Sequence, residues 1–211
     1  MKYPKKSATT ASASLISPAV TGAVVGPLPA APAFLPWQPS TWPPAPKRVD
    51  APFITTLAMI FKESILDEIG NVIEDAKKSN GDLQHRGHVV ALAMMCALEA
   101  ISAYGYGDRS RTYMADFISN HFPPDYKRHA KRFYHLYRTS LVHNWNLFEA
   151  TLLPGNDGIT DTGGTLSFGL LNFFDALRIG VNDLLNKLKT DPKLQASVGK
   201  RYAELKNTAK P

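Results

Sequence analysis

Apolar residues recur at steps of three and four from Phe53 onward. Ile54, Leu57, Phe61, Ile65, Ile69, Val72 and Ala76 form one stripe, which predicts an amphipathic helix over residues 53–78. Ser79-Asn-Gly-Asp82 supplies a C-cap glycine and turn formers to end it. Residues 88–104 are apolar nearly all round, the pattern of a helix buried in the middle of a bundle, where Met94, Met95 and Cys96 serve as packing. Gly105-Tyr-Gly-Asp108 breaks the chain, and a shorter helix over 111–121 is stopped by Pro123-Pro124. Asp125 is placed to N-cap a helix from Tyr126 to about His143.

Beyond it, Leu147–Leu153 and Thr165–Phe168 flank a loop rich in Gly, Asp and Asn, which predicts a short hairpin. Helix returns over 169–189 with Leu171, Phe174, Leu177, Val181, Leu184, Leu185 and Leu188 as its stripe, and a last helix covers 193–206. No internal repeat is present. The pattern predicts an all-α protein: an up-and-down helical bundle of about five helices with a short β-hairpin insertion, occupying residues 52–207.

The first 51 residues read differently. Ten of the 16 prolines fall in residues 1–50, among Ala, Ser, Thr and Val. Proline removes a backbone donor and fixes φ, so Pro27-Leu-Pro-Ala-Ala-Pro-Ala-Phe-Leu-Pro36 forms neither a helix nor an interior strand. A disordered, Pro/Ala-rich extension over 1–51 is expected, either a linker or a translation start placed too early. A secretory signal is opposed by Pro18, Pro27 and Pro29, which interrupt the apolar stretch it needs. Trp37 and Trp42 beside the proline run keep a recognition motif open.

Charge changes this picture only locally. Of the net +6, residues 1–50 hold five cations and one acid, which leaves 19 cations and 17 acids for the other 161 residues. Global basicity therefore says little about the helical part. One cysteine in 211 residues excludes a disulfide framework and multi-cysteine zinc or iron–sulfur patterns. Apolar runs are punctuated before they reach membrane-spanning length. A soluble, cytoplasmic protein without membrane, metal or cofactor is the expectation.

The informative segment is Tyr126–Trp145. No acid lies between Asp125 and Glu149, against five cations (Lys127, Arg128, Lys131, Arg132 and Arg138) and three histidines (His129, His135 and His143). Arg128, Lys131, Arg132 and His135 share about one face at helical spacing, which reads as a phosphate-facing stripe or as a solvated helix face. Phe133, Leu136, Tyr137, Ser140 and Leu141 make the inward stripe, flanked by Arg138 and His143.

Arg138-Thr-Ser-Leu-Val-His143, within Leu136-Tyr-Arg-Thr-Ser-Leu-Val-His143, resembles the Arg-x4–6-His motif of the HEPN family (higher eukaryotes and prokaryotes nucleotide-binding domains). The helix end Ala97–Gly107 and the helix order from about 53 to 206 fit the resemblance as well. Arg128 and His135 satisfy the same spacing. The later pair is preferred because apolar residues lead into it and a change from helix to hairpin follows. Thr139 stands where family members usually carry Asn, Asp or His.

The resemblance implies a homodimeric, metal-independent endoribonuclease that leaves a 2′,3′-cyclic phosphate, the kind of domain found in toxins and defence effectors, with an antitoxin or regulator as a further partner. In that reading His143 is general acid/base and Arg138 the phosphate clamp. Thr139 and Asn144 assist, and Lys127, Arg128, Lys131 and Arg132 hold the RNA backbone.

The chemistry suits the residues. An imidazole of ordinary pKa near 6.5 exchanges protons at neutral pH, and a guanidinium meets phosphate oxygens with a planar fork. RNA supplies its own 2′-hydroxyl nucleophile. Five residues turn an ideal helix by about 140°, so the pair does not share one helical face. A bent-back arginine, a frayed helix end or a composite site across a two-fold axis would reconcile the two. The alternatives are a catalytically inactive HEPN-like dimer that binds RNA, nucleotide or a protein partner, and a helical scaffold whose tail interacts.

Lesser candidates have structural readings. His85-Arg-Gly-His88 has metal-like spacing with no third ligand nearby. Gly155-Asn-Asp-Gly158 and Gly163-Gly164 lack the context and the lysine of a phosphate loop. Ser140 and Ser167 lack a nucleophile setting. Trp145 either stacks on a base or packs the core.

Overall fold

The computed structural model describes residues 49–78, 87–106, 112–135 and 150–208, all within one compact unit, Gln38–Pro211. The reading of the tail as disordered therefore lies, except for its last residues, outside the described residues.

Val49 is buried beside Gly199. Asp50 accepts from the Phe53 backbone N–H at 3.0 Å and caps α1, Ala51–Phe61. Pro52 falls in the first turn, where its missing donor is harmless. One π-helical turn, Lys62–Leu66, leads straight into α2, Asp67–Lys78. Acids open α2 and lysines close it, matching the helix dipole.

That turn corrects the stripe read from the sequence. The buried positions are Phe53, Leu57, Phe61, Leu66, Ile69, Ile73 and Ala76, while Val72 is 41% exposed. The step from Phe61 to Leu66 is five residues, because a π turn carries one extra residue and rotates everything after it. Leu66 and Ile73 thereby take the places expected of Ile65 and Val72.

The central helix α3, Gly87–Tyr106, packs against α2, α4 and both C-terminal helices. Met94 and Met95 are buried as expected, but Cys96 is exposed, since it falls with Val89 and Ala100 on the outward face of the helix. Its most apolar 18-residue stretch has a mean hydropathy of 1.6, so α3, at 20 residues, is also long and apolar enough to cross a membrane, contrary to the expectation for this chain. In this structure 56% of that stretch is buried inside the protein.

Helix α4, Tyr113–His121, stops at Phe122, and Pro124 opens α5, Pro124–Lys127. A turn at Arg128–His129 separates it from α6, Ala130–Phe133. The small sheet has the order β1-β3-β2, with β1 Ala150–Leu153, β2 Thr160–Thr162 and β3 Thr165–Gly169. The hairpin is β2–β3, closed by Gly163 and Gly164 at φ +59° and +87°, as a tight primed turn requires. β1 instead pairs with β3 in parallel, from Ala150 against Leu166 to Leu153 against Gly169.

Gly169 has no alternative: a Cβ there would lie 2.5 Å from the Asp157 nitrogen and the Gly155 oxygen. Helix α7, Leu170–Lys187, buries Phe173 rather than the half-buried Phe174. Phe173 anchors an aromatic cluster with Phe168 at 5.1 Å, Phe133 at 5.3 Å, and Phe122 and Tyr126 at 5.8 Å. Asp191 accepts from two backbone N–H groups to start α8, Pro192–Thr208, whose Tyr202 meets Phe53 edge-on at 4.9 Å. The architecture is the expected all-α bundle carrying a small β insertion.

Candidate functional site

Arg138, Thr139, His143 and Asn144, with Trp145, lie outside the described residues. What is described is the approach to them, residues 124–135. The single helix expected from Tyr126 is divided, because backbone bonds close short turns: Tyr126 N–H to the Pro123 carbonyl, His129 N–H to Tyr126, and Arg132 N–H to His129. Tyr126, His129, Ala130 and Phe133 point inward, and Lys127, Arg128, Lys131 and His135 are exposed.

The expected RNA-facing cations therefore divide. Lys127, Arg128 and Lys131 are open to solvent. Arg132 is engaged within the fold, its guanidinium bridging the Asp161 carboxylate on β2 and the Gly164 carbonyl in the hairpin turn. It fastens the hairpin to α6, and phosphate would have to compete with both partners. His129 is buried with Nε2 unpartnered, and burial together with Arg128 beside it lowers its pKa. His88 is exposed, while its neighbour in the metal-like spacing, His85, is outside the described residues.

A second constellation was not legible in the sequence. The His121 side chain is fully buried at the end of α4. Its Nδ1 lies 2.6 Å from the Asp183 carboxylate on α7, and its Nε2 lies 2.8 Å from the Tyr106 hydroxyl at the end of α3. A donor chain follows: Tyr106 O–H to Nε2, then Nδ1–H to Asp183. Lys187 completes it, 2.8 Å from Asp183 and donating to the Asn120 carbonyl at 3.0 Å.

Burial lowers the His121 pKa despite the carboxylate, and burial pushes the Tyr106 hydroxyl up to about 12. At Asp183 partial burial is outweighed by the Lys187 and His121 hydrogen bonds, which hold the carboxyl below its usual range. The result is a neutral imidazole locked in one tautomer, tying together the ends of three helices. Tyr106, His121 and Asp183 are 15 and 62 residues apart, so no local spacing could reveal them.

A groove of about 640 Å³ runs between α2 and α7 and is lined by charges of both signs, among them Glu74, Lys77, Asp175 and Arg178. Lys77 is already held by Glu74 at 2.8 Å, and the Arg178 guanidinium lies 5.9 Å from the Phe174 ring centre. No protein family, curated protein or solved structure matches the chain.

Proposed function

We propose that this chain is a HEPN-like, metal-independent endoribonuclease that works as a homodimer in the cytoplasm. What carries the reading is Arg138-Thr-Ser-Leu-Val-His143 set behind an acid-free basic segment whose Lys127, Arg128 and Lys131 face solvent. The all-α bundle is compatible with it. His143 exchanges the proton of the RNA 2′-hydroxyl and of the leaving 5′-oxygen, while Arg138 stabilises charge on the phosphate. Thr139 and Asn144 donate hydrogen bonds nearby, and the three exposed cations hold the RNA backbone. A toxin or defence role, with an antitoxin as partner, belongs to the same reading.

Two observations favour a second reading, a dimer that binds RNA, nucleotide or protein without cutting. Arg132 is engaged with Asp161 and Gly164, which thins the stripe, and Thr139 replaces the family's usual side chains. Purified protein incubated with RNA and chelator decides between them. We expect wild-type cleavage with a 2′,3′-cyclic end and a loss of about 10²-fold or more in His143→Ala and Arg138→Ala. Equal cleavage by all three proteins overturns the nuclease. Salt-sensitive binding without product favours the second reading.

A further inference from the structure

The groove between α2 and α7, at about 640 Å³, falls within the size range of small-molecule sites. Its α2 wall holds two features that a helix built only for stability would avoid. The π-helical turn Lys62–Leu66 ends on Leu66, which lines the groove, and such insertions recur at functional sites. One helical turn further on, Gly70 stands inside α2, where glycine costs stability relative to alanine. A Cβ there would lie 3.6 Å from the Phe174 ring of the facing helix, so glycine leaves that ring uncovered from the α2 side.

Leu171, Phe174, Asp175 and Arg178 recur at helical spacing along α7 and form the opposite wall. The floor is apolar: Leu66 and Ile73 are buried, and Leu171 and Phe174 are half-buried. The rim is charged. The Arg178 guanidinium lies 5.9 Å from the Phe174 ring centre and has no ion pair among the described residues. Asp175 is its neighbour on the helix surface, yet the two are not paired, and Asp67 on the α2 wall is unpaired among the described residues as well. Glu74, by contrast, is taken up by Lys77 at 2.8 Å. An anion in this groove would meet the acids, and a cation would meet Arg178. A guest carrying both charges satisfies both. Its charged groups must also be close together, because residues at i and i+3 stand about 5–6 Å apart at Cβ.

We infer that this groove binds a free α-amino acid with a large apolar side chain. The carboxylate takes the planar fork of Arg178, the ammonium lies by Asp175 with Asp67 adding negative charge from the other wall, and the side chain rests on Phe174, Leu171 and Leu66 where Gly70 leaves room. The site is independent of the nuclease reading and stands or falls apart from it.

Calorimetric titration of the full chain with L-leucine and L-phenylalanine tests it, beside glycine and the amide and N-acetyl derivatives of both, which each lack one recognised group. We expect the amino acids to bind roughly tenfold or more tightly than any of these, since each charge-assisted bond and the apolar contact contribute separately. Arg178→Gln should weaken the amino acids by about tenfold and leave the amides unchanged, whereas Asp175→Asn should weaken the amino acids and leave the N-acetyl derivatives unchanged. Gly70→Met should weaken binding by about tenfold or more while the melting temperature holds or rises, because methionine favours the helix and its side chain covers Phe174. Tighter binding of L-phenylalanine assigns an aromatic side chain to the guest, and the reverse an aliphatic one. Amino acids and amides binding alike, unchanged affinity in Arg178→Gln or Gly70→Met, or no binding of either amino acid at about 10 mM overturns the proposal.

Discussion

Two buried polar sites, less than a dozen residues apart in sequence, are built on opposite terms. At the end of α4, His121 has both ring nitrogens engaged, one by Asp183 and one by Tyr106. In the next turns, Tyr126 and His129 are buried too, yet the Tyr126 hydroxyl and the His129 Nε2 have no hydrogen-bond partner among the described residues. The first site converts burial into a connection between three helix ends. The second carries desolvated groups that hold nothing inside the fold. A satisfied network is a structural device, and an orphaned one is where a search for function is better directed.

The sharpest way to break the comparison is to remove one hydroxyl from each site. Tyr106→Phe leaves the buried Nε2 of His121 without its donor and should cost about 1–3 kcal/mol in urea unfolding with an unchanged slope. Tyr126→Phe removes a hydroxyl that bonds to nothing and should change stability by about 0.5 kcal/mol or less, or raise it. Equal costs for the two would erase the distinction.

Acid gives the next effect. Burial lowers both His121 and His129, so below the ordinary histidine pKa of about 6.5 the unfolded chain binds more protons than the folded one. Their contribution is complete above about pH 6.5 and is lost as pH falls through the folded values. The slope is at most about 1.4 kcal/mol per pH unit for each imidazole. Denaturation midpoints measured between pH 7 and 5 should fall, and His121→Gln should flatten the curve.

The smallest effect belongs to the surface. Arg132→Ala frees the hairpin turn from α6, but both partners are about one-third exposed, and the expected loss is about 0.5–1 kcal/mol. The same variant sharpens the functional question. If Arg132 serves the hairpin, RNA affinity should fall less than in Lys131→Ala, as read by binding at fixed salt.

Much of the fold was legible because it is written in near neighbours. The apolar pattern of α3 and the proline pair after α4 act within a few residues of themselves, and those elements are found, whereas the Asp50 cap and strand β2 went unread. The stripe after Phe61 shows the limit. A four-residue step leads from Phe61 to Ile65, and the extra residue of the π turn puts Leu66 inward instead. The candidate site was legible as a basic run and a motif, with Arg138 and His143 outside the described residues. That Arg132 is engaged was not legible, because Asp161 is 29 residues away.

The sequence by itself determined that the chain is mainly helical, that the proline pair follows the end of α4, and where positive charge collects. Those outcomes rest on backbone sterics, capping and hydrophobic periodicity, all of which act over a turn or two. Only the tertiary structure decided which polar side chains were satisfied. It brought Asp183 and Tyr106 to His121 and, among the described residues, no hydrogen-bond partner to the Tyr126 hydroxyl, because partners for a buried group are chosen by how distant helices pack.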